Sequence, residues 1–459
     1  MNTALLSIRG SGLVNQKGES VTLKGFGLGG WMNMENFITG YPGNEEAQRE
    51  AILAAIGPER YARFFDRFLE EFFGPGDAAF IQSLGLNLVR LPVNYRHFED
   101  DMAPFELKEE GFKHLDRVID LCARHGIYTI IDLHALPGYQ NQHWHSDNPT
   151  HVALFWRHKQ FQDRVVWLWE AFARRYRSNP WVAGYNLINE PADPTAQALM
   201  PVYRRLVDAI RAIDPDHILF LEGNRYSLDF HMFGEPWPGV VYTTHDYALP
   251  GFVDGGPYPG VSRGQHVDRD ALERVFLERT RYMRETGTPI WVGEFGPVYT
   301  GDPARDAMRR RLLEDQLEIY RRHNASWAIW TYKDIGLQGV TYAAPGSRWL
   351  SRIRPIVEKK ARLGVDAWGS VDAGIRDIMD PIERTFADEF PQYHPFPFGA
   401  QRHINQLVRH MLLTEPLVDE FAALFKHATE REIDDLMASF RFENCVQRQE
   451  LAKTLSQYK

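Results

Sequence analysis

Val182-Ala183-Gly184-Tyr185-Asn186-Leu187-Ile188-Asn189-Glu190-Pro191 is a strand-like apolar run that ends in an amide, an acid and a proline. Residues 198–213 then carry apolar side chains at helical spacing, so the two stretches together read as one strand–helix unit. The unit recurs in both directions along the chain. Strand-like runs fall at 24–28, 86–91, 128–133, 182–188, 218–222, 240–245, 290–292 and 326–330, eight in all. Between them lie helical patterns at 161–176, 271–285 and 307–323, and at Phe112, Leu115, Val118, Ile119 and Cys122, where His125-Gly126 stops the helix. Eight alternations predict an α/β fold of the (β/α)8 TIM-barrel type rather than an open doubly wound sheet. An open sheet would favour a phosphate loop after its first strand, but Gly25-Phe26-Gly27-Leu28-Gly29-Gly30 has the wrong spacing for that fingerprint.

Three segments exceed a minimal barrel. Ile8-Arg9, Gly12-Leu13-Val14 and Val21-Thr22-Leu23, with Asn15-Gln16-Lys17-Gly18 between, read as an N-terminal hairpin. Residues 44–76 form a helical rim insertion closed by Gly74-Pro75-Gly76. The tail carries Leu407, His410, Met411, Leu417, Phe421, Leu424 and Phe425 at helical spacing, too apolar for a solvated tail. The expected division is a catalytic barrel over 1–350 and a largely helical C-terminal extension, packed on the barrel, over 351–459.

Composition narrows the partners. A net charge of −9 argues against nucleic acid and anionic membranes, and 13% aromatic content suits sugar stacking as well as a bulky core. Cys122 and Cys445 form no metal-spaced pair, and two distant cysteines fit a reducing compartment. Residues 1–10 show neither a basic start nor a continuous apolar core, so the expectation is no signal peptide and a cytoplasmic location. No run of about 18 apolar residues predicts a membrane span.

Barrel active sites are built at the C-terminal ends of the strands. The fourth strand ends in Asn189-Glu190-Pro191 and the seventh in Gly293-Glu294-Phe295-Gly296. Two carboxylates facing each other across a barrel mouth are what glycosidic cleavage needs. One protonates the departing oxygen and the other attacks the anomeric carbon. Arg90 closes the second strand, His134 follows the third, His245 and Tyr247 follow the sixth, and Trp330 closes the eighth.

With these residues in order over roughly 20–350, the sequence resembles glycoside hydrolase family 5. The resemblance implies Glu190 as acid/base and Glu294 as nucleophile of a retaining β-glycoside hydrolase. Asn189 would hold the 2-hydroxyl, and Arg90 and Tyr247 would aim Glu294. His245 would sit beside Glu190, His134 would contact sugar hydroxyls, and Trp330 would form the stacking floor. No metal or organic cofactor is implied. The opening through Trp31, with the segment 32–43, the insertion and the tail, looks most like the intracellular bacterial β-mannosidase branch, with β-glucosidase or β-glucanase as the rival within the family. A non-catalytic carbohydrate-binding barrel is the rival outside it, and the two intact glutamates argue against that.

Further candidates stand near the rim. Trp31 and Glu35 are read as sugar contacts, Glu35 equally as a solvated or salt-bridged acid, and Glu222 as a supporting acid. His143-Trp144-His145 offers two imidazoles at i, i+2 without a positioned acid, so Trp144 and one histidine read as loop contacts to sugar rather than a metal site. The bulk of 31–43, 44–73 and 139–148 on one side of the mouth, together with the missing leader, leads to the expectation of an exo-acting pocket for short oligosaccharides with a terminal β-linked sugar. Oligomeric state is not legible.

Overall fold

A computed structural model of the protein describes residues 5–248, 256–262, 264–366, 368 and 371–459. Eight parallel strands close into a barrel: Lys24–Gly27, Leu88–Asn94, Tyr128–Ala135, Val182–Asn186, Ile218–Glu222, Val240–His245, Ile290–Glu294 and Ser326–Ile329. They pair in sequence order, and the eighth closes on the first through Trp327–Lys24 and Ile329–Phe26. The expected strands all appear, shifted by a few residues at their ends. The N-terminal hairpin gains a third strand, so Ser7–Arg9, Gly12–Val14 and Ser20–Val21 form a small antiparallel sheet.

Alternate residues of a strand face the barrel interior. The lower interior layer is apolar: Leu88, Ile130, Ala183, Ile218, Phe220, Val241, Trp291 and Ala328 pack together, with Leu6, Leu13 and Leu23 joining them from the N-terminal segment. That segment therefore plugs the bottom of the barrel and leaves chemistry to the top. Two residues up the same faces stand Arg90, Asp132, Glu222, Thr243 and Trp330, and two further again His134 and His245.

The insertion folds as the helices Glu45–Ile56 and Pro58–Phe72. The second buries Phe64, Phe65, Phe68 and Phe72 on one face. Phe64 and Phe68 meet Phe425 and Phe440 of the C-terminal extension edge-on, at ring separations of 5.2 and 5.3 Å, and Trp349 stacks on Phe425 at 5.7 Å. Paired Arg63–Asp434 and Arg441–Glu71 contacts flank this seam. The helix Arg348–Leu363 runs across residue 350, so chain and core continue from barrel into extension. The extension is mainly helical but also supplies a strand, Cys445–Gln447, which pairs with Thr341–Ala343 above the eighth barrel strand. Among the described residues no helix is long and apolar enough to cross a membrane.

Candidate active site

Glu294 breaks the alternation that points its neighbours inward. It stands three residues after Trp291, an inward-facing residue, and an unbroken strand would turn it out. A register shift between Val292 and Glu294 brings it into the mouth. Glu190 lies beyond the end of its strand, at φ 45°. Such a left-handed backbone costs a non-glycine residue about 1–3 kcal/mol and persists only where the surroundings hold it. Here Glu222, buried at the end of the fifth strand, accepts the Glu190 backbone N–H at 2.7 Å.

Arg90 ties the two halves together from the floor. Its Nη1 donates to Glu294 Oε1 at 2.6 Å, its Nη2 to Asn189 Oδ1 at 2.7 Å and Glu222 Oε1 at 3.2 Å, and its Nε to Asn186 Oδ1 at 3.1 Å. Burial works against its charge, but Asp132, Glu294 and Glu222 overcome that and raise its pKa. Tyr247 donates to the other oxygen of Glu294 at 3.0 Å. The nucleophile candidate is thus gripped on both oxygens, which fixes its direction.

Glu190 is gripped by imidazoles instead. Its Oε1 lies 2.7 Å from His245 Nδ1 and its Oε2 lies 3.0 Å from His145 Nε2. Burial opposes its ionisation, but hydrogen bonds from His145 and His245 outweigh burial and hold its carboxyl well below the usual range. His245 is the mirror image. Burial disfavours its charge, and the fields of Glu294 and Glu222, with its bond to Glu190, raise it well above the ordinary imidazole range. The two carboxyls are therefore held by different partners, Glu190 by two imidazoles and Glu294 by a guanidinium and a phenol.

His134 donates or accepts through Nδ1 at 2.7 Å from Asp132 Oδ2, and its ring lies parallel to Trp330, centroids 5.4 Å apart. Burial, with Arg90 nearby, keeps His134 well below its ordinary pKa, while burial pushes Asp132 up to about 8. Trp330 lies over the first strand's exit. A Cβ at Gly27 or Gly29 would stand 2.6 or 2.3 Å from its indole. The glycine run is therefore a bed for Trp330. Glu35 faces the same pocket, its buried Oε1 4.0 Å from His134 Nε2 and without a hydrogen bond. Burial first, then the fields of Glu294 and Glu190, raises its pKa well above the carboxylate range.

Of the residues singled out in the sequence, Glu35, His134, Trp144, Glu190, His245, Tyr247, Glu294 and Trp330 line one cavity of about 430 Å³, with Arg90 and Asn189 beneath. Trp31 is the exception. Its indole is fully buried and donates to the Leu69 carbonyl at 2.9 Å, so it pins the helical insertion to the barrel rather than meeting sugar. The insertion itself contributes no described residue to this cavity. The wall opposite the barrel comes from the C-terminal extension, through Trp368, Glu383, Phe398, Arg402 and His410. Of the two loop histidines between which the sequence leaves the sugar contact open, His145 is the one bound to Glu190, and Asp132 has no role in the sequence analysis. Asp132 had a signal, its even spacing below His134 on one strand; the extension residues had none.

Glu190, His245 and Glu294 each place a ligand-type atom within 4.8 Å of the others, the one such group among the described residues. His245 Nδ1 is taken up by Glu190, and Glu294 is already bound by Arg90 and Tyr247, so this donor set suits proton transfer better than metal. One carboxylate oxygen of each glutamate thus lies within 4.8 Å of the other.

The family model for cellulase (glycosyl hydrolase family 5) matches residues 76–336. The chain belongs to glycosyl hydrolase family 5. It is accordingly a glycoside hydrolase, and the barrel with acids on its fourth and seventh strands is the family 5 barrel. This family 5 hydrolase is 47% identical over 468 residues to a protein of Phanerodontia chrysosporium named beta-xylosidase, spanning 99% of this chain and 98% of the relative. It is 26% identical to the Aspergillus fumigatus protein named "Probable glucan 1,3-beta-glucosidase A", over 69% of this chain and 84% of that one. A crystal structure described as a glycoside hydrolase shares the fold, with a TM-score of 0.53 at 21% identity over 74% of this chain and 99% of its own.

Proposed function

We propose that this hydrolase removes one terminal β-linked sugar at a time from short oligosaccharides or glycosides, with retention of configuration. The observation that carries the reading is a single cavity, walled by the extension, with Glu190 and Glu294 oxygens within 4.8 Å of each other at its floor. Retaining enzymes hold their carboxyl groups about 5–5.5 Å apart and inverting enzymes about 6.5–9.5 Å. In this reading residues 1–350 are the catalytic barrel and 351–459 an extension packed on it.

Glu294, aimed by Arg90 and Tyr247, attacks the anomeric carbon and forms a glycosyl ester. Glu190 gives a proton to the leaving oxygen, then takes one from the water that hydrolyses the ester. In the free site the proton shared along the 2.7 Å bond between His245 and Glu190 favours the imidazole, and it moves onto Glu190 for delivery to the leaving oxygen. Asn189, held by Arg90, faces the 2-hydroxyl, Trp330 stacks under the ring, and Glu35 and His134 meet the remaining hydroxyls. Trp144 contacts the sugar from the third loop.

The name carried by the fungal relative turns the first choice of sugar from β-mannoside to β-xyloside, with β-mannoside and β-glucoside as the comparison. Nitrophenyl β-xyloside, β-mannoside and β-glucoside, followed by NMR of the first-formed anomer, test the reading. A β-anomer from the best substrate supports it. An α-anomer, or release of internal fragments from a polymer before monosaccharide, overturns it.

A further inference from the structure

Two cavities meet at one pair of side chains. The pocket described above and a second cavity of about 820 Å³ share two lining residues, Trp144 and His410. Trp144 opens the short turn Trp144–Ser146 in the third loop, and His410 stands on the π-helical turn Leu407–Leu412 of the extension. Their rings are 3.9 Å apart between centroids, inclined at 66°. Trp144 is only 6% exposed, and His410 Nε2 is buried with no hydrogen-bond partner, so ring contact rather than a bond at that nitrogen closes the seam. The pocket is also lined by Leu228, Gln401 and Arg402, all exposed. The pocket thus opens to solvent past these three, while Trp144 with His410 closes it against the second cavity.

A hydrolase that removes terminal sugars seats the non-reducing unit against a closed surface and lets the leaving group depart through the open side. We propose that Trp144 and His410 form the end wall that limits the bound glycone to one sugar. Beyond the wall, the second cavity is lined by Asn44, Glu50 and Gln142, and by Asn148, whose amide is already bound to Asn141, Val152 and Thr150. Removing both rings joins the two spaces and gives a second glycone sugar a place to lie. This rests on the terminal-sugar reading above, and the experiment separates the two.

Nitrophenyl β-xylobioside is the probe, and intact xylobiose in the first products, measured by mass spectrometry, is the readout. The wild-type protein is expected to release xylose and no xylobiose. A Trp144→Ala/His410→Ala double variant is expected to release xylobiose with nitrophenol as a first product, where the wild type gives none. His410→Ala alone shifts the products in the same direction by less, and Trp144→Phe, which keeps a ring in the wall, does not. Xylobiose from the wild type would overturn the terminal-sugar reading itself. Xylose alone from both the wild type and a variant with a cooperative melting transition would overturn the wall and leave that reading standing. Should the double variant fail to fold, His410→Ala decides: no xylobiose from the folded single variant overturns the proposal.

Discussion

Replacing Arg90 by lysine keeps one positive charge in the floor of the barrel and removes the planar fork that distributes it. Arg90 reaches Glu294, Asn189, Asn186 and Glu222 through three different nitrogens. A lysine ammonium is a single point with three donors and cannot span partners that far apart around the ring. Glu294, the nearest carboxylate, is the partner it would keep, and the bonds to Asn189 and Asn186 would go. Hydrogen bonds involving a charged group contribute about 1.5–3 kcal/mol each, so two lost bonds cost about 3–6 kcal/mol of stability before relaxation. The activity loss has a separate origin. Asn189 loses the donor that orients it and Glu294 gains freedom to rotate. Removing one preorganised polar contact to a transition state costs about 2.7–4 kcal/mol, or about 100- to 1000-fold in kcat. Arg90→Lys should therefore melt lower and, at a temperature where it is fully folded, show kcat reduced by that factor on an aryl glycoside. A folded variant with kcat within about threefold of wild type would refute the argument that Arg90 positions the reacting groups.

Other perturbations reach different parts of the account. Glu35→Gln tests the raised pKa: native Glu35 keeps its proton above the pH at which the unfolded chain releases it, so the unfolded state binds fewer protons and stability falls as pH rises. The slope from this one group approaches about 1.4 kcal/mol per pH unit above its unfolded pKa of about 4.3, and the glutamine variant should lose that component in melting curves from pH 5 to 8. Gly29→Ala places a methyl 2.3 Å from Trp330 Cζ2, and displacing the indole should lower kcat/KM by about 10- to 100-fold, with a modest loss of melting temperature. Phe440→Ala empties a fully buried site between Phe68, Phe72 and Trp349 and should destabilise the whole chain by about 3–5 kcal/mol in a single denaturant transition. Two separate transitions would show that barrel and extension fold independently.

The catalytic floor was legible because a barrel converts sequence into position by simple parity. Arg90, His134, His245 and Trp330 lie at even steps above apolar interior residues on their strands, so a polar residue at the right count is also at the right place. Glu294 was found by its motif despite breaking that count, since the register shift that rescues it leaves no mark in composition. Trp31 misled because it follows a strand and a glycine run. The chain turns at Gly30, φ 77°, and sends the indole toward Leu69 instead of the mouth. The outer wall was illegible for a different reason. Trp368, Arg402 and His410 carry no motif, and they reach the mouth because an aromatic seam between Pro58–Phe72 and the extension folds the tail back over the barrel. Such a seam reads in sequence as ordinary apolar helices, which give no partner and no direction.

The assignment of Glu294 as nucleophile and Glu190 as acid/base is tested most directly by trapping the glycosyl ester. A 2-deoxy-2-fluoro-β-xylosyl fluoride slows both steps, while its reactive leaving group lets the first proceed and the intermediate accumulate. Peptide mass spectrometry of the inactivated protein should place one fluorosugar on Glu294, with labelling abolished in Glu294→Gln. A label on Glu190 or on any other residue would contradict the account.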